Sequence, residues 1–348
     1  MSQEPFDSAG PTPPPNTLWD IADRDRPLFY NRRHRYCPIT AVARWQPRVD
    51  GVDLDVAAED GSVHPLRISF ATPHVVRVQL GPQPSAPSDL LVAPPEGAPC
   101  TVATEPDALV LQSTGLVVRL GLRPWQLTVL WPDGRGLYAE QTADRTFHAP
   151  VAYPLGFAVN ERGERSTFES FALHHDEHLF GLGQHYGPLN RRGQRIVAWS
   201  RDTTGLNTAA VTYTNIPFLL SSRGFGVFLH HPQRIVYELG SVSFVTASFQ
   251  VDAPYLDYFV IAGPHPKTVL QRYADLTGYP PVPPAWSFGV WMSRCMYRNR
   301  REVEEVVDRA RADGFPLDVV HLDPLWLRER RAHRLDACTF AWDEEAFP

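Results

Sequence analysis

The hydrophobic pattern of this chain changes once, near residue 265, and that change limits the folds open to it. From about residue 30 to 261, short runs of alternating apolar and polar residues recur between turn signals. Such alternation is typical of β-strands with one buried face, and many strands at this spacing indicate a sandwich or barrel. After residue 265 the pattern becomes helical and the strands become continuously apolar. The sequence therefore predicts an all-β domain that leads into the start of an α/β domain.

Turn signals divide the first part into hairpins. Four pairs of strands flank short polar turns, at 59–61, 132–134, 161–163 and 222–223. The Asp-Gly and Arg-Gly pairs in or beside these turns supply the positive-φ positions that tight hairpins need. We expect each of the four to join neighbouring antiparallel strands.

The last quarter of the chain predicts helices that alternate with strands. The expected order is a helix, a strand, a helix and a strand, at 267–277, 286–292, 302–312 and 317–322. Gly278 is placed to end the first helix, and Asn299 with Glu302 resembles a capping box at the start of the second. The prolines of 280–284 predict a stiff linker. A strand, helix and strand with apolar strands indicates a parallel βαβ unit.

Composition excludes several classes of protein. Hydrophobic residues make up 43% of the 348 residues and aromatic residues 11%, enough for a large core, and the net charge of −6 argues against a nucleic-acid partner. No apolar run approaches the length of a membrane span, and the acidic, Pro-rich N-terminus lacks the order of a secretory signal. The four cysteines lie far apart, which predicts reduced thiols, a cytoplasmic location and no structural zinc.

The candidate functional residues lie where parallel strands are predicted to end. Asp323 follows the second predicted strand, and the aromatic residues Trp291 and Trp326 lie at or near the two strand ends. Ligands of parallel α/β folds bind at such ends, and sugar rings stack on flat aromatic faces. These residues are consistent with a carbohydrate site. Spacing alone equally allows Asp323 to be a cap or turn residue and the tryptophans to be core residues.

Several motifs, in order along the chain, resemble glycoside hydrolase family 31. They are FGLGQ at 180–184, GPLNRRGQ at 187–194, WSRD at 199–202, YTNIPF at 213–218, RGFGV at 223–227, YLDYFVIAG at 255–263, PAWSFGVW at 284–291 and HLDPLW at 321–326. The match is collinear from about residue 180 to the end of the chain and looser before that. The HLDPLW variant is most similar to the α-xylosidase branch of the family.

The resemblance implies a galactose-mutarotase-like β-sandwich followed by a (β/α)₈ TIM barrel. The expected domains are a disordered tail, the sandwich, a helix with a Pro-rich linker, and the start of the catalytic barrel, at 1–28, 29–264, 265–285 and 286–348. It implies retaining, exo-acting hydrolysis of α-xylosyl or α-glucosyl residues from oligosaccharides and glycosides. One aspartate would attack the anomeric carbon, and a second would act as acid and base, with no metal or cofactor.

By position, the resemblance implies substrate-binding residues rather than catalytic ones. Asp323 matches an aspartate that hydrogen-bonds sugar hydroxyls in the −1 subsite, and Trp291 and Trp326 match pocket aromatics. Asp202 matches a loop aspartate that the sandwich extends towards the barrel mouth. Met296 stands where α-xylosidases often carry an aromatic residue, and this departure bears on substrate preference. Gln184 replaces the usual glutamate of its motif.

The catalytic aspartates of the family are expected beyond Pro348. A complete (β/α)₈ barrel needs about 250 residues, and 286–348 allows two strands and one helix. We therefore expect the chain to be the N-terminal part of the enzyme and inactive alone. A non-catalytic, carbohydrate-binding sandwich remains an alternative. A mutarotase-type epimerase is a third, but it would need a His and Glu pair that the sequence does not place.

Other clusters are expected to be structural. The run His174, His175, Asp176, Glu177 and His178 resembles a set of metal ligands, yet the flanking pattern is a loop or strand edge rather than a helix. Nothing in the sequence places a base beside Ser287, Ser293 or Cys295, as a nucleophile would need. The arginines of 294–301 and 328–334 alternate with glutamates, which is typical of a solvated, salt-bridged face.

Overall fold

The computed structural model describes residues 28–30, 34–84, 89–142, 152–200, 212–294 and 297–323. The chain divides into two compact units, Met1–Gly278 and Tyr279–Pro348. Most of the predicted tail lies outside the described residues, but its last residue does not. Leu28 is buried in a short 3₁₀ helix, Leu28–Tyr30, and its backbone N–H donates to the Glu238 carboxylate at 3.0 Å. The folded part therefore includes Leu28, which corrects the predicted tail of 1–28.

The first unit consists mainly of antiparallel strands. They are β1 (His34–Pro47), β2 (Gly51–Ala58), β3 (Val63–Thr72), β4 (Val75–Leu80), β5 (Thr101–Glu105), β6 (Ala108–Gln112), β7 (Val117–Leu122), β8 (Trp125–Leu130), β9 (Gly136–Ala139), β10 (Gly156–Asn160), β11 (Arg165–Ala172), β12 (Leu179–Gly183), β13 (Gln194–Ala198), β14 (Asn215–Ser221), β15 (Phe225–Leu229), β16 (Ile235–Leu239), β17 (Thr246–Val251) and β18 (Leu256–Ala262).

The long strand β1 belongs to two sheets. Its first five residues pair with β10, in the sheet β13-β16-β17-β11-β10-β1, and the rest of the strand pairs with β2, in the sheet β1-β2-β3-β4-β18-β15-β14-β12. Its register with β2 shifts between Ile39 and Ala41 and again between Val42 and Arg44. Such bulges bend a strand and increase its twist, which lets one strand continue from one sheet into another.

A third sheet, β5-β6-β7-β8-β9, is a meander that shares the same core. In β8 every second side chain is buried, namely Trp125, Leu127 and Val129, because successive side chains of a strand point to opposite faces. Full burial of a large apolar side chain stabilises the fold by about 1.5–3 kcal/mol. The core is built from such positions in all three sheets.

The four predicted hairpins are present. They join β2 to β3, β8 to β9, β10 to β11 and β14 to β15. Gly224 shows why glycine is needed in the last turn. Its φ is 89°, and a Cβ there would lie 2.7 Å from the carbonyl oxygen of Gly263.

The helix α1 (Pro266–Thr277) packs on the outside of the second sheet, close to the predicted span of 267–277. Its buried residues Val269 and Leu276 lie in one cluster with Phe218, Phe228 and Phe259 from β14, β15 and β18. Gly278 follows with φ 96°, and its N–H donates to Ala274 O at 2.7 Å. The helix is therefore an integral part of the first unit.

The second unit contains a 3₁₀ helix, Ala285–Phe288, then β19 (Trp291–Arg294), α2 (Arg300–Ala312) and β20 (Val319–Leu322). The predicted strand 286–292 is therefore wrong over 286–290, and only its last two residues lie in β19. After Pro284 the chain makes a tight turn instead, in which Ser287 N–H donates to Pro284 O and Gly289 N–H donates to Trp286 O, both at 3.0 Å. In the described part of the chain, neither helix has the length and apolar character that a membrane span requires.

The start of α2 follows the sequence prediction with one difference. Asn299 is the N-cap, and its side-chain oxygen accepts from Glu302 N–H at 3.1 Å. The Glu302 carboxylate accepts from Arg298 N–H at 2.9 Å, one residue before the cap. The cap is confirmed, but the return hydrogen bond of a capping box is displaced by one residue.

Candidate functional site

The two strands of the second unit pair in parallel. Trp291 lies opposite Val319 and Arg294 lies opposite Leu322. Asp323 comes directly after the last of these pairs, at the carboxyl end of β20, and is partly buried. This is the edge at which parallel α/β folds bind their ligands.

Trp291 lies at the other end of the same ladder. The sequence predicts it near the end of a strand, but β19 begins at Trp291, four positions in register before Asp323. Four residues of strand correspond to about 13 Å. The indole is 52% exposed, and its Nε1 donates to Ser287 O at 2.9 Å. The register therefore separates the backbone positions of Trp291 and Asp323.

The start of β19 is held by Asp318, a residue that the sequence analysis did not select. Its Oδ2 accepts from Val290 N–H at 2.8 Å, and its own N–H donates to Val290 O at 3.0 Å. A Cβ on Gly289 would lie 2.0 Å from the same Oδ2. Gly289 and Asp318 thus fix where β19 begins.

The arginines beside the strand end form ion pairs along α2. Arg298 with Glu302, Arg300 with Glu304 and Arg301 with Glu305 are pairs four residues apart. The Arg294 guanidinium lies 5.0 Å from the centre of the Tyr297 ring and 4.0 Å from the Glu302 carboxylate. The predicted salt-bridged face is confirmed for this cluster.

Three predicted site residues, Met296, Trp326 and Asp202, lie outside the described residues, as does the second arginine cluster at 328–334. Of the five proposed substrate-binding residues, the structure therefore describes Asp323 and Trp291.

Residues 174–178 form a loop. Three of the five side chains lie together, and the other two have different partners. The ligand atoms of His174, His175 and Asp176 lie within 4.8 Å of one another, and all three residues are exposed. Glu177 is instead buried and its carboxylate binds the Ser221 hydroxyl at 2.5 Å. His178 Nδ1 lies 2.9 Å from the side-chain nitrogen of Asn190. The absence of a helix here agrees with the sequence prediction.

Two buried polar clusters in the sandwich escaped the sequence analysis. In one, Asp257 on β18 accepts two hydrogen bonds from Arg77 on β4, at 2.8 and 2.6 Å, and lies 2.8 Å from His230 Nδ1. Burial opposes the charge of Asp257, but the hydrogen bonds from Arg77 and His230 outweigh it and lower the pKa of the carboxyl. Asp257 is therefore a buried carboxylate rather than a neutral acid.

The other cluster contains Glu140 and Glu169, both fully enclosed. Burial raises the pKa of Glu140 to about 7, although its carboxyl accepts from Leu155 N–H, Trp125 Nε1 and Leu127 N–H. Burial and the charge of Glu140 together raise the pKa of Glu169 well above its usual value. Each cluster brings together side chains that are distant in the sequence. No local motif therefore indicates either cluster.

Comparison with known proteins assigns the two units to one enzyme class, the glycoside hydrolases. Residues 65–238 match the family 31 N-terminal galactose mutarotase-like domain, and residues 280–348 match the family 31 TIM-barrel domain. The chain belongs to glycoside hydrolase family 31.

The proteins to which the chain is similar in sequence include α-xylosidases and α-glucosidases. The chain is 37% identical over 182 residues to the α-xylosidase XylQ of Lactiplantibacillus pentosus, covering 52% of this chain and 23% of that protein. It is 28% identical over 295 residues to α-glucosidase 2 of Bacillus thermoamyloliquefaciens, covering 81% of this chain and 34% of that protein.

Solved structures share the fold. A family 31 dextranase of Flavobacterium johnsoniae complexed with glucose superposes with a TM-score of 0.74 at 24% identity, over 89% of this chain and 36% of that chain. A soil-metagenome α-xylosidase complexed with xylose gives a TM-score of 0.70 at 20% identity, over 88% and 44%. The chain thus spans less than half the length of each of these four proteins.

Proposed function

We propose that the chain is the N-terminal part of a retaining, exo-acting α-glycosidase that removes terminal α-xylosyl or α-glucosyl residues from oligosaccharides and glycosides. The observation that carries this proposal is Asp323, which directly follows a parallel strand inside the segment that matches the barrel domain. The names of the α-xylosidase and α-glucosidase relatives support the substrate class.

Asp323 would bind the sugar rather than attack it. A carboxylate accepts hydrogen bonds from two hydroxyl groups at once, and such charge-assisted bonds are stronger than neutral ones. Bonds that tighten as the ring distorts lower the barrier to reaction. Double displacement would need one further carboxylate as nucleophile and another as acid and base, and we assign neither role to a residue of this chain.

We expect the 348-residue chain to show no turnover alone. A (β/α)₈ barrel takes about 250 residues, and the barrel match here is 280–348. The purified chain is assayed with nitrophenyl α-xyloside and α-glucoside. Turnover above background that disappears in Asp323→Ala would overturn this expectation.

A chimera tests the role of Asp323. Residues 280–348 replace the matching segment of the Lactiplantibacillus pentosus α-xylosidase, and we expect xylosidase activity to remain. Asp323→Asn in the chimera removes a charge-assisted acceptor, so kcat/KM falls by roughly a hundred-fold, or about 2.7 kcal/mol. Asp308→Asn, on the polar face of α2, is the matched control. Equal activity in Asp323→Asn and in the parent chimera contradicts the proposal.

The predictions of a cytoplasmic location and of chemistry without metal or cofactor stay predictions. Within the described residues Cys37 and Cys100 are free thiols, Cys37 buried and Cys100 half-buried. Free thiols are typical of proteins kept in reducing compartments.

A further inference from the structure

A groove on the outer face of the second sheet is assigned no role by the proposed function. It has a volume of about 890 Å³, within the range of small-molecule sites. Gln79 on β4 and Asp257 on β18 lie opposite each other in register and both line it, as do Arg77 and His230. All of these residues belong to the first unit, whereas Asp323 belongs to the second.

One buried polar atom in this lining has no partner among the described residues. His230 is 9% exposed, and its Nδ1 lies 2.8 Å from the Asp257 carboxylate, which can only accept a hydrogen bond. Nδ1 therefore carries a proton, and Nε2 is the remaining hydrogen-bonding atom of the ring. Among the described residues Nε2 has no hydrogen-bond partner. A buried polar atom left unpaired costs about 1–3 kcal/mol. Less than 1 Å² of Nε2 is exposed, so a ligand hydroxyl would recover this energy only where the lining side chains move aside.

Neighbouring contacts hold the histidine end of the groove in place. His231 Nε2 accepts from Asp257 N–H at 2.9 Å, so its Nδ1 carries the proton and faces Gln233 Oε1 at 3.1 Å. Burial lowers the pKa of His231 to about 4, so this ring is neutral. The Gln233 amide in turn lies 3.4 Å from the Tyr255 hydroxyl. Gln233 and Tyr255 both line the groove with fixed, uncharged polar groups.

The charge of the groove disfavours an anionic ligand. Among the described residues that line it, the one guanidinium is that of Arg77, which is already bound by both oxygens of Asp257, and Asp89 adds a second carboxylate. The rest of the lining includes apolar side chains at 90–94 and Pro232. Neutral polar groups beside an apolar surface suit a ring that has both C–H faces and hydroxyl groups.

A second depression continues the groove along the sheet. It has a volume of about 870 Å³, shares Gln79 and Gln83 with the first, and reaches Trp45 on β1. Two arginines and two aspartates also line it and balance in charge, namely Arg44, Arg67, Asp53 and Asp55. Together the two depressions offer room for more than one sugar ring. We propose that this groove is a non-catalytic binding site for a neutral oligosaccharide, independent of the site at Asp323.

The test is calorimetric titration of the full 348-residue chain with isomaltotriose. We expect binding that weakens about ten-fold in His230→Phe and by a similar factor in Gln79→Ala, equivalent to about 1.4 kcal/mol each. Gln112→Ala, at an exposed position of β6, is the matched control and leaves binding unchanged. The loss of binding caused by Gln79→Ala is expected to be the same in the parent chain and in Asp323→Asn, which separates this inference from the proposed function.

Thermal unfolding of each variant identifies loss of fold. If His230→Phe does not fold, Gln79→Ala alone decides the question. The proposal is overturned if isomaltotriose gives no binding at millimolar concentration, if Gln79→Ala binds like the parent chain, or if Gln79→Ala causes no loss of binding in Asp323→Asn. Tighter binding of glucose 6-phosphate than of isomaltotriose overturns the choice of a neutral ligand.

Discussion

The carboxyl group of Glu140 lies 2.8 Å from the indole Nε1 of Trp125, in a part of the sandwich that water does not reach. The same carboxyl accepts from two backbone N–H groups, of Leu127 and Leu155. Glu140 thereby ties β8 and the start of β10 to the end of β9. A carboxyl in this position makes the stability of the fold depend on pH.

We expect the free energy of unfolding to fall as pH rises from about 5 towards 8. Burial raises the pKa of Glu140 from 4.5 to about 7, so between these values the folded protein binds more protons than the unfolded chain. The stability present below the unfolded pKa is then lost as pH rises through the folded pKa, by up to about 1.4 kcal/mol per pH unit. Urea unfolding at a series of pH values measures this slope.

Glu140→Gln removes the titrating group. The variant is less stable at pH 6, because one amide N–H group meets backbone donors, but its stability declines less between pH 6 and 8. Glu161→Gln, an exposed carboxylate in a turn, is the control and keeps the parent slope. An unchanged slope in Glu140→Gln would show that this carboxyl is not the source.

Truncation tests whether α1 belongs to the sandwich. A chain ending at residue 265 loses the buried side chains of Val269 and Leu276 and uncovers Phe228 and Phe259. At about 1.5–3 kcal/mol for each buried side chain, the loss is on the order of 3–6 kcal/mol. We expect 1–265 to unfold at lower urea than 1–278 and to elute as aggregates in size-exclusion chromatography. Equal midpoints would contradict the packing of α1.

A comparison of Gly224→Ala with Gly134→Ala separates the cost of a positive φ from the cost of a steric clash. Both glycines have positive φ, 89° and 86°, so alanine costs about 1 kcal/mol at either position. At Gly224 the new Cβ also lies 2.7 Å from Gly263 O, whereas nothing lies within 4 Å at Gly134. We expect Gly224→Ala to be the more destabilising in thermal unfolding. Equal melting temperatures would show that the strand end at Gly263 adjusts freely.

Removal of the Asn299 cap should loosen α2. Asn299→Ala leaves Glu302 N–H without its side-chain acceptor, a loss of about 1 kcal/mol, whereas Asn299→Ser keeps a capping oxygen. Hydrogen exchange at the amides of the first turn is the measurement. Faster exchange is expected in Asn299→Ala alone, and the same rate in both variants would contradict the role of the cap.

Local patterns accounted for most elements of this chain. The four hairpins, α1 and the N-cap of α2 follow from residues that are neighbours in sequence, where periodicity, glycine and side-chain caps act directly. The strand expected over 286–292 was wrong over its first five residues, because the hydrophobic pattern does not reveal the turn after Pro284 or the contact of Asp318 with Val290. That contact joins residues 28 positions apart.

The sequence by itself determined the order of domains, the family and the position of Asp323 after a strand, because each rests on a short motif or a repeat of hydrophobic residues. Only the tertiary structure decided which distant residues meet. Arg77 reaches Asp257, 180 residues away, because β4 pairs with β18, and Trp291 is set apart from Asp323 by the register of β19 and β20. Strand pairing over such separations depends on the packing of the whole sheet, and no local stretch of sequence contains it.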